Sequence, residues 1–233
     1  MLPPRLPLAT VALIAIVLAG GLAVDVRTDF VGQAVLGIGV WAVLLLLLNR
    51  MARDLRYALM TCLVIATLGE VFLTSWGLYA YRLDNVPLFV PPGHVLLLLL
   101  GLWLAQRLPA SAARVILAGA GIYSVAVAAA GLDTLGLGLL AVIAVAAYAL
   151  PSQQRLYAST FVLALALELY GTWLGSWTWA PRVPHLDLVT TNPPGAAGAF
   201  YCALDALVAV ATVQLLPRIR AWTGRTKSGA LAA

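Results

Sequence analysis

The stretch Glu70-Val71-Phe72-Leu73-Thr74-Ser75-Trp76-Gly77-Leu78-Tyr79-Ala80-Tyr81 places a carboxylate inside an apolar segment. The stretch Glu168-Leu169-Tyr170-Gly171-Thr172-Trp173-Leu174-Gly175-Ser176-Trp177-Thr178-Trp179 does so again. Glu, Thr, Gly and two aromatic residues recur at the same internal spacing, 98 positions apart. Each block is followed by a Pro-Pro-Gly, Pro91-Pro92-Gly93 and Pro193-Pro194-Gly195. An ionisable side chain in a lipid-spanning segment is costly and marks a functional site by default. Finding it twice points to a molecule organised around it.

The chain has 233 residues, 63% hydrophobic and 10% charged, against roughly 25% charged in a soluble domain. Apolar runs near the length of about 20 residues that crosses a bilayer recur throughout. Eight such segments are expected, at 7–24, 31–49, 57–80, 93–107, 112–131, 134–150, 156–176 and 195–216. The fold class is therefore all-α, a polytopic membrane helical bundle. The short alternating strands of a membrane barrel are absent from the pattern. Four helices per unit is an even number, so both units enter the membrane from the same side, as parallel repeats about an axis along the membrane normal. The expected organisation is a first repeat over 1–108, a second over 109–217, and a cytoplasmic tail over 218–233.

The net charge of +5 reads as topology and not as a nucleic-acid footprint. With the N-terminus inside, the inner side holds Arg5, Arg50, Arg53, Arg56, Arg107, Arg114, Arg155, Arg218, Arg220, Arg225 and Lys227, and the outer side holds Arg27, Arg82 and Arg182. That bias places both termini in the cytoplasm of a multi-pass protein of the cell membrane. The first segment resembles a signal core, since Arg5 precedes it. It is read as a retained helix, because it completes the first repeat. Cys62 and Cys202 lie in apolar segments and read as small packing residues.

On a helix, positions i, i+4, i+7 and i+11 fall within an arc of roughly 60°, so Glu70, Thr74, Gly77 and Tyr81 are expected to share a face, and so are Glu168, Thr172, Gly175 and Trp179. Asp205, about ten residues into the last helix, is expected at a similar depth. Three carboxylates then meet at one level, with no Lys, Arg or His there to neutralise them. A desolvated, unpaired carboxyl favours its neutral form, and a neutral acid beside an ionised one is an acid–base set. Trp76, Tyr79, Tyr81, Trp173, Trp177, Trp179 and Tyr201 crowd the same half of these helices. Their ring faces would attract a cation without trapping it as an alcohol. Thr74 and Thr172 are expected to orient the carboxyls.

Plainer readings stand beside these. Trp and Tyr gather at membrane interfaces without a catalytic role. Gly77 and Gly175 read as close-packing positions between helices. His94 and His185 read as solvated residues near helix ends, and Asn192 as a turn or capping residue. The sequence holds no Gly-rich phosphate loop, no nucleophile elbow and no Asp cluster to hold magnesium against a diphosphate.

The block 168–179 resembles the repeat of the heterodimeric-type lycopene cyclases. The size and the mid-membrane acids resemble the integral-membrane terpene cyclases of fungal meroterpenoid and actinobacterial indole-terpenoid pathways. Those enzymes use one acid in an early helix and one in the last, positions matched here by Glu70 and Asp205. The carotenoid enzymes carry Pro-x-Glu-Glu after each aromatic block. Here those places read Val90-Pro91-Pro92-Gly93-His94 and Asn192-Pro193-Pro194-Gly195-Ala196, which favours the terpene-cyclase likeness.

The expected function is an intramembrane isoprenoid cyclase with no cofactor and no metal. Its substrate would be a polyene or a prenylated small molecule, reached from the lipid or through the outer loops. Asp205 or Glu70 would protonate an alkene or epoxide, and Glu168 would take a proton back. A proton-coupled transporter is the second reading and a lipid- or pigment-binding subunit the third. The oligomeric state is left open.

Overall fold

The computed structural model describes residues 6–212. The expected tail over 218–233, Arg5 and the four basic residues beyond Pro217 lie outside the described residues. The described residues form eight α-helices: α1 (Leu8–Asp25), α2 (Phe30–Asn49), α3 (Arg53–Ser75), α4 (Val90–Ala105), α5 (Ala110–Ala129), α6 (Leu135–Ala149), α7 (Gln154–Leu174) and α8 (Gly198–Val210). Two three-residue strands, β1 (Tyr79–Tyr81) and β2 (Trp177–Trp179), complete it. The fold is all-α, and it is that of a membrane protein. Among the described residues five helices, α1, α2, α3, α5 and α7, are long and apolar enough to cross a bilayer. Many of their large apolar side chains face outward, among them Ile38, Leu46, Val115 and Ile122.

Eight crossings were expected, and three of the eight helices are shorter than that. The helix α4 has 16 residues, α6 has 15 and α8 has 13 among the described residues, against about 20 for a full crossing. The span expected for α4, 93–107, is itself short of a full crossing; α4 starts earlier, at Val90, with Pro91 and Pro92 in its first turn, and stops at Ala105. The helix α6 gives up one residue at each end of its expected span, and α8 opens at Gly198, after Pro193 and Pro194, and not at 195.

The helix α4 is the central one. Its run Val95-Leu96-Leu97-Leu98-Leu99-Leu100 is buried throughout, as befits a helix apolar on every side. It packs on α3 and α7, and α8 packs on α7, α6 and α3. Contact between α4 and α7 is close because Gly101 faces Thr160, where a Cβ would come within 2.3 Å of the threonine methyl.

The loops after α1, α3, α5 and α7 gather at one end and are bonded together. Arg82 donates to the carbonyls of Asp25 and Thr28. Gly195 N and Thr191 Oγ1 donate to Asp133 Oδ2. Asp29 and Asp133 cap the starts of α2 and α6, accepting from Gly32 N and Gly136 N at 2.9 Å each. The two central loops meet as an antiparallel strand pair, with Tyr79 opposite Trp179, Ala80 opposite Thr178 and Tyr81 opposite Trp177.

Candidate active site

The site is built by helix ends. The helix α3 stops at Ser75 and α7 at Leu174, earlier than the expected limits of 80 and 176. Gly77 and Gly175 then adopt φ of +77° and +79°. Leu78 N bonds Leu73 O and Ser176 N bonds Gly171 O, the six-residue closure that ends a helix in a left-handed glycine. These glycines are therefore turn residues and not the helix-packing positions expected of them. The turn sends the chain back as a strand, so that both aromatic residues of each block return to their own glutamate.

Glu70 Oε2 accepts the hydroxyls of Tyr79 and Tyr81 at 2.6 and 2.7 Å. Glu168 Oε2 accepts the indole N–H groups of Trp177 and Trp179 at 2.8 and 3.1 Å. The second oxygens meet rings from the following helices. Glu70 Oε1 lies 3.2 Å from His94 Nε2 on α4, and Glu168 Oε1 lies 3.5 Å from the Tyr201 hydroxyl on α8. His94 and Tyr201 stack with centroids 5.0 Å apart and planes 10° from parallel. Both carboxylates are buried, each 7% exposed.

His94 corrects the expectation of a solvated histidine, and with it the expectation that no base lies at this depth. Pro91 and Pro92 start α4 one turn earlier and aim His94 inward. Its Nδ1 lies 3.0 Å from Val90 O, which accepts only from an N–H. In the neutral ring Nε2 is then an acceptor, so the contact with Glu70 needs one proton between the two groups. It is either a carboxylic acid donating to imidazole or an imidazolium donating to carboxylate. His185, by contrast, is exposed in its loop.

Two cavities flank this cluster. One, of about 60 Å³, lies beneath α1 and α2 and is closed by Leu18, Gly21, Val40 and Leu167. The other, of about 160 Å³, opens between α3 and α8 past Ile65, Gly69, Leu73 and Leu204. Glu70, Tyr79, His94, Glu168, Trp179 and Tyr201 border both. A polar cup of about 310 Å³, with Thr74, Ser75, Asp84 and Asn85, lies on the loop side of Tyr79 and Tyr81.

Other expected site residues lie elsewhere. Asp205 lines neither flanking cavity. It is buried among Cys62, Tyr157, Thr160 and Cys202. Cys62 and Thr160 each precede the glutamate of their helix by eight residues, about 12 Å. The expected depth assumed that α8 begins at the membrane face. It begins deeper, with Gly198 seated on Phe161, whose carbonyl would stand 2.6 Å from a Cβ. The three carboxylates therefore do not share one level. Cys62 and Cys202 are free thiols, both buried.

Thr74 and Thr172 do not touch the carboxyls. Their hydroxyls donate to the main-chain carbonyls of Glu70 and Glu168 at 2.6 and 2.7 Å, where the preceding turn offers the nearest acceptor. Trp173 is 78% exposed and stacks on Tyr170. Trp76 packs on Phe72 and lines neither flanking cavity. Asn192 Oδ1 accepts Trp179 N at 3.0 Å and so fixes the second strand. Gly171, which the sequence did not single out, makes room for Trp177, since a Cβ there would fall 2.0 Å from the indole.

Among the described residues, no three His, Cys, Asp or Glu side chains are grouped to hold a metal ion. The arrangement places an acid–base pair that shares one proton and a second, cation-free carboxyl on a common apolar space. Comparison with protein-family models, with curated proteins and with solved structures gives no match.

Proposed function

We propose that the protein is a membrane-embedded isoprenoid cyclase that works by proton transfer on an unsaturated hydrocarbon chain. The observation that carries this reading is the Glu70–His94 pair, at 3.2 Å, facing the cavities that Glu168 also borders. Glu70, protonated against His94, adds H⁺ to a terminal alkene or opens an epoxide. A C–H or O–H bond forms, and the cation is left on carbon. The electron pair of a second double bond closes the ring and moves the cation inward. Glu168 removes a proton from the neighbouring carbon, which restores a double bond. Atoms balance as an isomerisation.

The surroundings suit that sequence. Tyr79, Trp177, Trp179 and Tyr201 line the space where the cation would travel, and aromatic rings attract cations. A cavity of roughly 150 Å³ takes a benzene-sized group, and the space between α3 and α8 is of that size, about 160 Å³. Six-membered rings are thus the fitting products. The likeness of the acid-bearing blocks to membrane terpene and carotenoid cyclases supports the same class.

The finer architecture belongs to this reading. We take the eight helices as eight crossings in two parallel four-helix halves, with both termini in the cytoplasm of a cell-membrane protein. The strand register supports the duplication. Exchanging positions 98 apart turns the pair Tyr79–Trp179 into Trp177–Tyr81, which is the other observed pair. The strand pair therefore maps onto itself when the halves are exchanged.

The test is turnover of linear polyenes and their terminal epoxides by the purified protein in deuterated water. A cyclase gives a ring product, lost in Glu70→Gln and in Glu168→Gln, that carries one carbon-bound solvent deuterium per initiating protonation when made from a polyene and none on carbon when made from an epoxide, whose deuterium stays on the exchangeable hydroxyl. Ring-free recovery of every polyene and epoxide offered, from folded protein, defeats the reading.

A further inference from the structure

The two flanking cavities differ in a way that the duplication makes legible. Gly69 precedes Glu70, and 98 positions later Leu167 precedes Glu168. Leu167 closes the cavity beneath α1 and α2. Gly69 lies in the wall of the cavity between α3 and α8, and a Cβ there would meet nothing within 4 Å. The first half thus leaves open the space that the second half fills. The rim of that opening is apolar and reaches the lipid-facing surface, where Leu207 is 54% exposed.

The loop end is closed by contrast. Tyr79, Tyr81, Trp177 and Trp179 are all buried, and their polar tips are turned onto the glutamates. The polar cup beyond them stops at Tyr79 and Tyr81. An apolar molecule coming from the water side would have to cross that cup and then displace the four donors. One coming from the bilayer meets only hydrocarbon and small residues, Ala66, Gly69 and Ala203, before the acids.

We infer that the opening between α3 and α8 is a lateral port for one linear isoprenoid chain, whose leading end passes Glu70 and Glu168 and points its terminal methyl group into the cavity beneath α1, which at about 60 Å³ takes no larger group. The chemistry of the chain rests on the cyclase reading above. The route rests on the glycine–leucine asymmetry and on the six residues shared by both cavities. Its direction sets the substrate's polarity, with the end that reacts entering first and any bulky head group staying at the lipid side of Leu207.

The test is photolabelling of the full chain in nanodiscs with geranylgeraniol carrying a diazirine at the hydrocarbon end, with labelled peptides read by mass spectrometry. The expected label falls on Leu18 and Leu22 of α1. Gly69→Leu lowers that label at least tenfold, as does Ala203→Leu, which narrows the same opening from α8. Gly119→Leu, on the exposed face of α5 with open space around its Cβ, leaves it unchanged. Equal labelling of α1 in wild type, Gly69→Leu and Ala203→Leu overturns the port, as does label confined to the outer faces of the helices. Assaying the same wild-type nanodiscs for ring product from polyenes and epoxides separates the two claims. Label on α1 with no ring product from wild-type protein keeps the port and removes the cyclase, whereas ring product with labelling indifferent to Gly69→Leu removes the port alone.

Discussion

Glu70 Oε1 and His94 Nε2 lie 3.2 Å apart, with Nδ1 of the same ring 3.0 Å from Val90 O. The carbonyl fixes the tautomer, so Glu70 and His94 behave as one unit holding one proton. Units of this kind lose their function when either member goes, and the losses do not add. His94→Phe keeps the stack on Tyr201 and removes both ring nitrogens. Turnover is expected to fall on the order of 10²–10⁴-fold in His94→Phe. Adding Glu70→Gln to it is expected to cost little more. Rates for the two single variants and the double variant check this. Multiplying losses would show two independent groups.

The carboxylates and their aromatic partners were legible in the sequence, but the reason they meet was not. Read as helix, the ninth residue after Glu70 points away from it and the eleventh points back. Tyr79 and Tyr81 instead sit two apart on a strand, on the same side of it, which is why both reach Oε2. The signal was the pairing of Gly77 with aromatic residues at spacing two, a turn and strand in place of a helix face. His94 was hidden for a related reason. Its loop has no periodicity, and only the helix start at Pro91-Pro92 sets its direction. Asp205 was misplaced because depth was counted from a membrane face that α8 does not reach. The Gly198–Phe161 contact that lowers it is tertiary and leaves no trace in hydropathy.

Gly171 seats the Trp177 indole against α7. Gly171→Ala drives a methyl into that ring. Overpacking of this kind costs about 1–3 kcal/mol, and here it also displaces the Trp177 N–H from Glu168. A lowered unfolding midpoint in detergent, a shifted tryptophan emission and reduced turnover are expected together. Unchanged emission with unchanged activity would mean that Trp177 does not depend on Gly171 for its place.

Gly77 and Gly175 hold φ near +77° and +79°. An alanine in that region costs about 1–2 kcal/mol. Gly175 has open space around its Cβ, and Gly77 has only Pro184 at 3.6 Å, so the cost in both comes from the backbone. Gly77→Ala and Gly175→Ala are each expected to lower stability by about that amount, while Gly77→Asn and Gly175→Asn cost less, because Asn tolerates the left-handed region. Thermal unfolding of the four variants in one detergent checks the order.

Asp205 and Glu168 are both buried acids, and their surroundings differ. Glu168 Oε2 takes two N–H donors and borders both flanking cavities. Asp205 Oδ2 is buried with no hydrogen-bond partner among the described residues, while Thr160 hydrogen-bonds the carboxyl, and Asp205 borders neither cavity. A buried acceptor left unpaired costs about 1–3 kcal/mol; Leu removes that acceptor, and because it is the larger side chain overpacking offsets part of the gain. Asp205→Leu is therefore expected to raise the unfolding midpoint and to keep most of the turnover. Glu168→Gln is expected to lose turnover about 10²–10⁴-fold with the fold intact. Should Asp205→Leu instead unfold at the wild-type midpoint and make no product, the proton that starts the reaction comes from Asp205. The Glu70–His94 pair would then be the acceptor at its end.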